Sequence, residues 1–97
     1  MNIDSFIKSK SGCISKDTKD GMLILSPDEK YLYILKGCAV DVWTRSSGKK
    51  TLKQIIEEIS LEFAMDFNKA RKDILDFLKD AIQENPPLFV LSKNPVQ

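Results

Sequence analysis

The chain has 97 residues, 42% hydrophobic and 30% charged, which suits one domain with one core and leaves no length for a second. Fifteen basic against fourteen acidic side chains leave a formal charge of +1, without the basic excess that a phosphate-backbone or anionic-membrane binder carries. The absence of histidine excludes His-based acid–base and triad chemistry, and no apolar run reaches the roughly 18 to 20 residues that cross a bilayer.

Met1 to Ser11 is mostly polar and lacks the apolar core of a secretion signal, so residues 1–11 read as a flexible arm and the expected compartment is the cytoplasm. The folded domain is expected over residues 12–91, with 92–97 as a flexible tail. Cys13-Ile14-Ser15 reads as a short first strand, followed by a polar stretch whose Asp20-Gly21 step supplies turn chemistry. Met22-Leu23-Ile24-Leu25 is a second strand. Ser26 to Lys30 is a tight connection, with Pro27 suited to the second position of a turn. It leads into Tyr31-Leu32-Tyr33-Ile34-Leu35, a third strand with Tyr31, Tyr33 and Leu35 on one face and Leu32 and Ile34 on the other. At the edge of a small sheet, such a strand offers free N–H and C=O groups on which another extended chain can dock. Cys13 and Cys38 form no Cys-x-x-Cys pair and read as reduced thiols rather than a disulfide or a metal site.

Cys38 to Trp43 alternates as a strand does, yet Ala39 and Trp43 also stand four apart as on one helix face; the local pattern leaves both open. Trp43 reads as core rather than as a binding anchor, and Ser46-Ser47-Gly48 ends the segment. Thr51 and Gln54 have capping-box spacing. The helix that follows carries Leu52, Ile55, Ile56, Ile59 and Phe63 on one stripe. A second helix is predicted from Phe67 to Glu84, with Ala70, Ile74, Phe77, Leu78 and Ala81 on its buried face and Asn85-Pro86-Pro87 as its stop. Arg71, Leu75 and Ile82 fall to one side of that stripe, a flank that either lines a groove or is buried. Leu88 to Leu91 is expected to pack back on the domain. Asp73 and Asp76 have no accompanying base or metal-ligand set and read as a solvated face; no enzyme, cofactor or metal is expected.

The hairpin Gly21-Met22-Leu23-Ile24-Leu25 to Tyr31-Leu32-Tyr33-Ile34-Leu35, together with Gly37-Cys38-Ala39-Val40-Asp41-Val42-Trp43, Gly48-Lys49-Lys50-Thr51-Leu52 and Asp73-Ile74-Leu75-Asp76-Phe77-Leu78, resembles the PqqD-like proteins. These are also called recognition elements for precursors of ribosomally made, modified peptides. The resemblance spans roughly residues 12–91; a departure is Lys36, where the family commonly has asparagine. It implies an α+β, winged helix-turn-helix fold, with a three-stranded antiparallel β-sheet followed by three helices, and it makes residues 38–46 the first helix. It also implies a non-catalytic module, a peptide chaperone in effect. Such a module binds the leader of a precursor peptide by strand addition and delivers it to a modifying enzyme or leader peptidase, in lasso peptide, radical SAM peptide or quinone-cofactor pathways.

Carried onto this chain, the leader would lie along Tyr31, Leu32, Tyr33, Ile34 and Leu35 and against the third helix. Tyr33, Leu35, Leu75, Leu78 and Ile82 would form pockets, and Arg71 and Lys79 would meet acidic leader residues. The alternatives are core packing for Tyr33 and Leu35 and a solvated helix face for Arg71 and Lys79. Nucleic acid and membrane are not expected as partners, and the expected state is a monomer or a domain-swapped dimer. The rival reading is a winged-helix DNA-binding regulator. Against it, Lys69, Arg71, Lys72 and Lys79 of the third helix are offset by Asp73, Asp76, Asp80 and Glu84.

Overall fold

A computed structural model describes residues 1–84 and 87–95. Its elements run β1 (Phe6–Ser9), β2 (Ile14–Thr18), β3 (Gly21–Leu25), β4 (Leu32–Leu35), α1 (Cys38–Arg45), β5 (Ser47–Thr51), α2 (Leu52–Glu62), α3 (Phe67–Gln83) and β6 (Phe89–Ser92). The expected helix stop at Asn85-Pro86 and the last two residues of the expected tail lie outside the described residues.

Local chemistry sets the β3–β4 hairpin. Pro27 occupies the second position of a turn in which the Glu29 N–H donates to the Ser26 carbonyl at 2.9 Å. The Ser26 hydroxyl donates to Asp28 at 2.6 Å and accepts the Tyr31 N–H at 3.1 Å, so the turn's polar groups are satisfied within it. The Ser26 hydroxyl and the Lys30 N–H hold the Asp28 carboxyl below its ordinary pKa. This turn fixes the register from Met22 opposite Leu35 to Leu25 opposite Leu32. At the other end of β3, a Cβ on Gly21 would stand 2.0 Å from the Leu35 carbonyl oxygen, so only glycine admits so close an approach of β4.

The sheet β2-β3-β4 is the three-stranded antiparallel sheet expected from the sequence. A second antiparallel sheet, ordered β5-β1-β6, was not expected, and it corrects the fold class to an α+β domain with two small sheets and three helices. It also corrects the domain boundaries. Residues 6–9, placed in a flexible arm by the sequence, form the central strand of this sheet, paired on both edges, and Ile7 is fully buried. Backbone carbonyls upstream cap α2: Leu52 N–H donates to Ser5 at 2.9 Å and Lys53 N–H to Ile3 at 2.7 Å. First-turn N–H groups have no partner within their own helix, and here the N-terminal segment supplies it. Ser92, assigned to the tail, closes β6.

The helices share one core with both sheets. Cys38–Arg45 is helical, as the resemblance implied, and Gly37 before it takes φ 59°. The capping box of α2 is complete, Gln54 N–H meeting the Thr51 hydroxyl and Thr51 N–H meeting the Gln54 side chain. Its stripe of Leu52, Ile55, Ile56 and Ile59 is fully buried against Ala70, Ile74, Leu78 and Ala81 of α3. Phe89 of β6 joins the layers, in edge-to-face contact with Trp43 at 5.6 Å and with Phe77 at 5.8 Å. Trp43 is half-buried against this core, as expected. Arg45 of α1 bridges to Asp41, Glu58 and Glu62, and Lys50 of β5 reaches Glu58 at 2.9 Å, tying α1, β5 and α2 at their polar margin.

Candidate functional site

In an antiparallel pair, successive residues direct their backbone groups alternately toward and away from the neighbouring strand. The Ser26 N–H donates to the Tyr31 carbonyl at 2.9 Å, so Tyr31, Tyr33 and Leu35 face β3 with their backbone groups. Leu32 and Ile34 therefore direct theirs away from the sheet, along an edge that no described strand covers. Their side chains are 60% and 64% exposed, high for aliphatic residues in a strand. β4 thus presents the unpaired extended edge that the sequence suggested.

Beside this edge lies a groove of about 170 Å³, walled on one side by Tyr33, Ile34 and Leu35. The opposite wall is Phe77, Asp80 and Ala81 of α3, then Glu84 and Leu88 beyond it. The helix residues are spaced by three and four and so share one face. Phe77 is held by its contact with Phe89, which gives the groove a fixed apolar base. The volume is below the roughly 300 to 1,000 Å³ of small-molecule pockets, so the groove suits one or two side chains of an extended chain. Its rim is acidic. Burial and the Glu84 carboxylate push the Tyr33 phenol above its ordinary pKa, which places that carboxylate within electrostatic reach of β4.

The residues proposed from the sequence divide. Leu32, Tyr33 and Ile34 stand at the edge or groove, Tyr31 lies just before β4 at the hairpin turn, and Leu35 is 3% exposed and contributes mainly to the core. On α3 the expected flank lies away from this groove. Leu78 is fully buried, Ile82 packs half-buried against the core, and Arg71 is exposed away from the groove. Leu75 and Lys79 line a different cavity, about 360 Å³, with Met1 and Asp76. The groove uses the opposite side of the buried stripe, through Phe77, Asp80 and Ala81. Of these, the sequence analysis marked Phe77 and Ala81 only as core and passed over Asp80, Glu84 and Leu88 as wall residues. Both flanks fit the same helical periodicity, so the choice between them depends on where the β3–β4 hairpin docks, which periodicity does not encode.

Other chemistry is sparse. Cys13 and Cys38 are free thiols whose pKa values burial pushes up. Among the described residues, no group of three or more His, Cys, Asp or Glu is placed to hold a metal, and no helix is long and apolar enough to cross a membrane. The exposed side of α3 is laced with ion pairs, Lys69 to Asp73 at 3.3 Å and Lys72 to Asp76 at 3.2 Å. A family model described as coenzyme PQQ synthesis protein D (PqqD) matches residues 21–85, a span that includes β4 and all of α3. No curated protein and no solved structure matches the chain.

Proposed function

The chain belongs to the PqqD family, and from that membership we propose that it is a non-catalytic module which binds the leader of a ribosomally made precursor peptide and presents it to a modifying or leader-cleaving enzyme. The observation that carries this reading is the unpaired edge of β4 running beside an apolar groove against α3. An extended leader adds to the sheet as a fourth strand, its backbone meeting the outward groups of Leu32 and Ile34. Alternate leader side chains enter the groove over Phe77 and Ala81. Each hydrogen bond contributes about 1 kcal/mol net and is blind to sequence, so the groove sets which leader is held. The winged helix-turn-helix plan is the finer description of the fold that accords with this role. Lasso peptide, radical SAM peptide and quinone-cofactor pathways are the settings in which such a module acts.

The test is fluorescence polarisation of labelled N-terminal segments of short peptides encoded beside the gene, titrated with the full chain. Saturable binding, lost on truncating the leader, is expected for one of them. Ile34→Pro should weaken it more than tenfold with circular dichroism unchanged, because the Ile34 N–H points away from β3 and proline removes only the outward donor. Binding that is indifferent to this substitution would rule out docking on β4.

A further inference from the structure

The rim of the β4–α3 groove is electrostatically unsatisfied in three ways at once. Asp80 and Glu84 both line the groove four residues apart, the spacing at which like charges on a helix repel. Glu84 is also the C-cap of α3, whose last turn carries no basic residue, so its carboxylate sits at the negative end of the helix dipole. Glu84 further acts on the Tyr33 phenol across the groove. Among the described residues neither carboxylate takes part in an ion pair or a side-chain hydrogen bond, whereas Asp73 and Asp76, earlier on the same helix, are each matched by a lysine. The unmatched pair of acids on α3 is the pair facing the groove.

Resting on the peptide-binding reading above, we propose that the leader held in this groove carries a lysine or arginine whose charge sits between Asp80 and Glu84. Such a side chain fits both halves of the wall. Its aliphatic stem covers Phe77 and Ala81 while its head reaches the rim, the arrangement long cationic side chains adopt over apolar surface. This polarity is opposite to the one suggested by Arg71 and Lys79, which lie away from the groove. An acidic leader residue at the same place would add a third negative charge to an uncompensated pair.

The experiment is a selection of random 12-residue peptides by mRNA display on the full-length chain. It is run in parallel on D80K/E84K, on the neutral D80N/E84Q and on Ile34→Pro. Asp80 and Glu84 are exposed, so these substitutions leave the core intact, and circular dichroism checks each variant. The expected pool from the parent chain is enriched in Lys or Arg at one position, the enrichment vanishes on D80N/E84Q, and D80K/E84K selects Asp or Glu there. Individual basic peptides should bind D80N/E84Q roughly fivefold or more weakly than the parent at low salt, with the gap narrowing as salt rises. A pool that depends on Ile34 but shows no basic preference, or keeps one on D80K/E84K, overturns the proposal and leaves peptide docking standing. A pool indifferent to Ile34→Pro, or no enrichment on any variant, overturns the docking reading and this proposal with it.

Discussion

The two sheets of this domain are matched in strand number and differ in how the chain assembles them. In β5-β1-β6 the central strand comes from the chain's beginning and is paired on both sides by strands from its middle and end, with Ile7 fully buried. In β2-β3-β4 every strand is joined to the next by a short turn, and the last exposes an aliphatic edge, Ile34 at 64%. The first sheet ties the ends of the chain into the core. The second is assembled from neighbours, and its outer strands β2 and β4 each leave an edge without a described partner, a feature soluble proteins ordinarily blunt unless it is used. On the proposed reading, the first sheet anchors both ends of the fold and the β4 edge of the second receives the leader.

Substitutions that break this division should separate by size. Ile7→Ala removes a fully buried side chain from the central strand of the β5-β1-β6 sheet and should cost about 2 to 5 kcal/mol in urea unfolding. A loss under about 1 kcal/mol, a surface-like value, would return residues 1–11 to the status of a dispensable arm. Gly21→Ala places a methyl group against the Leu35 carbonyl and should displace the end of β4, costing about 1 to 3 kcal/mol and weakening leader binding as well. Unchanged affinity in the folded variant would dissociate the β3–β4 register from the site.

Smaller effects sharpen the contrast. Lys50 of β5, and then Arg45, hold the Glu58 carboxyl below its ordinary value of 4.5. A depressed folded pKa stabilises above the unfolded value and is lost as pH falls through the folded one. Stability should therefore decline below about pH 4.5, and Glu58→Gln should flatten that part of the profile. The change should be under about 1 kcal/mol because the pair is partly exposed. A profile identical in both proteins would leave this ion pair without a part in stability. Smallest of all, Lys79→Glu lies on the flank of α3 away from β4 and should leave leader affinity unchanged. A tenfold change there would move the groove to the side that the sequence alone suggested.

What could be read from the sequence was whatever is encoded over a few neighbouring residues. Ser26-Pro27 specified a turn, Thr51 and Gln54 a cap, and the apolar runs of β3 and β4 about that turn a hairpin; each is decided within half a dozen positions. The first helix needed family resemblance, because eight residues from Cys38 fit two periods. The β5-β1-β6 sheet escaped because β1 is only four residues long and β5 carries no apolar side chain, and both exist through partners distant in the chain rather than through their own pattern. At the site, the strand was legible from its aromatic and aliphatic run. The helix wall was not, since Phe77, Asp80 and Ala81 and the opposite flank of Arg71, Leu75 and Ile82 border one stripe equally well.

The most direct test of the account is amide hydrogen exchange, read by NMR along β4 with and without a leader peptide that saturates the protein. In the free chain the Tyr33 and Leu35 amides, bonded to β3, should exchange slowly, and those of Leu32 and Ile34 should exchange fast. On leader binding the Leu32 and Ile34 amides should become protected, as those of a strand newly paired on its outer side. Saturated binding that leaves Leu32 and Ile34 exchanging as fast as before would contradict strand addition on β4.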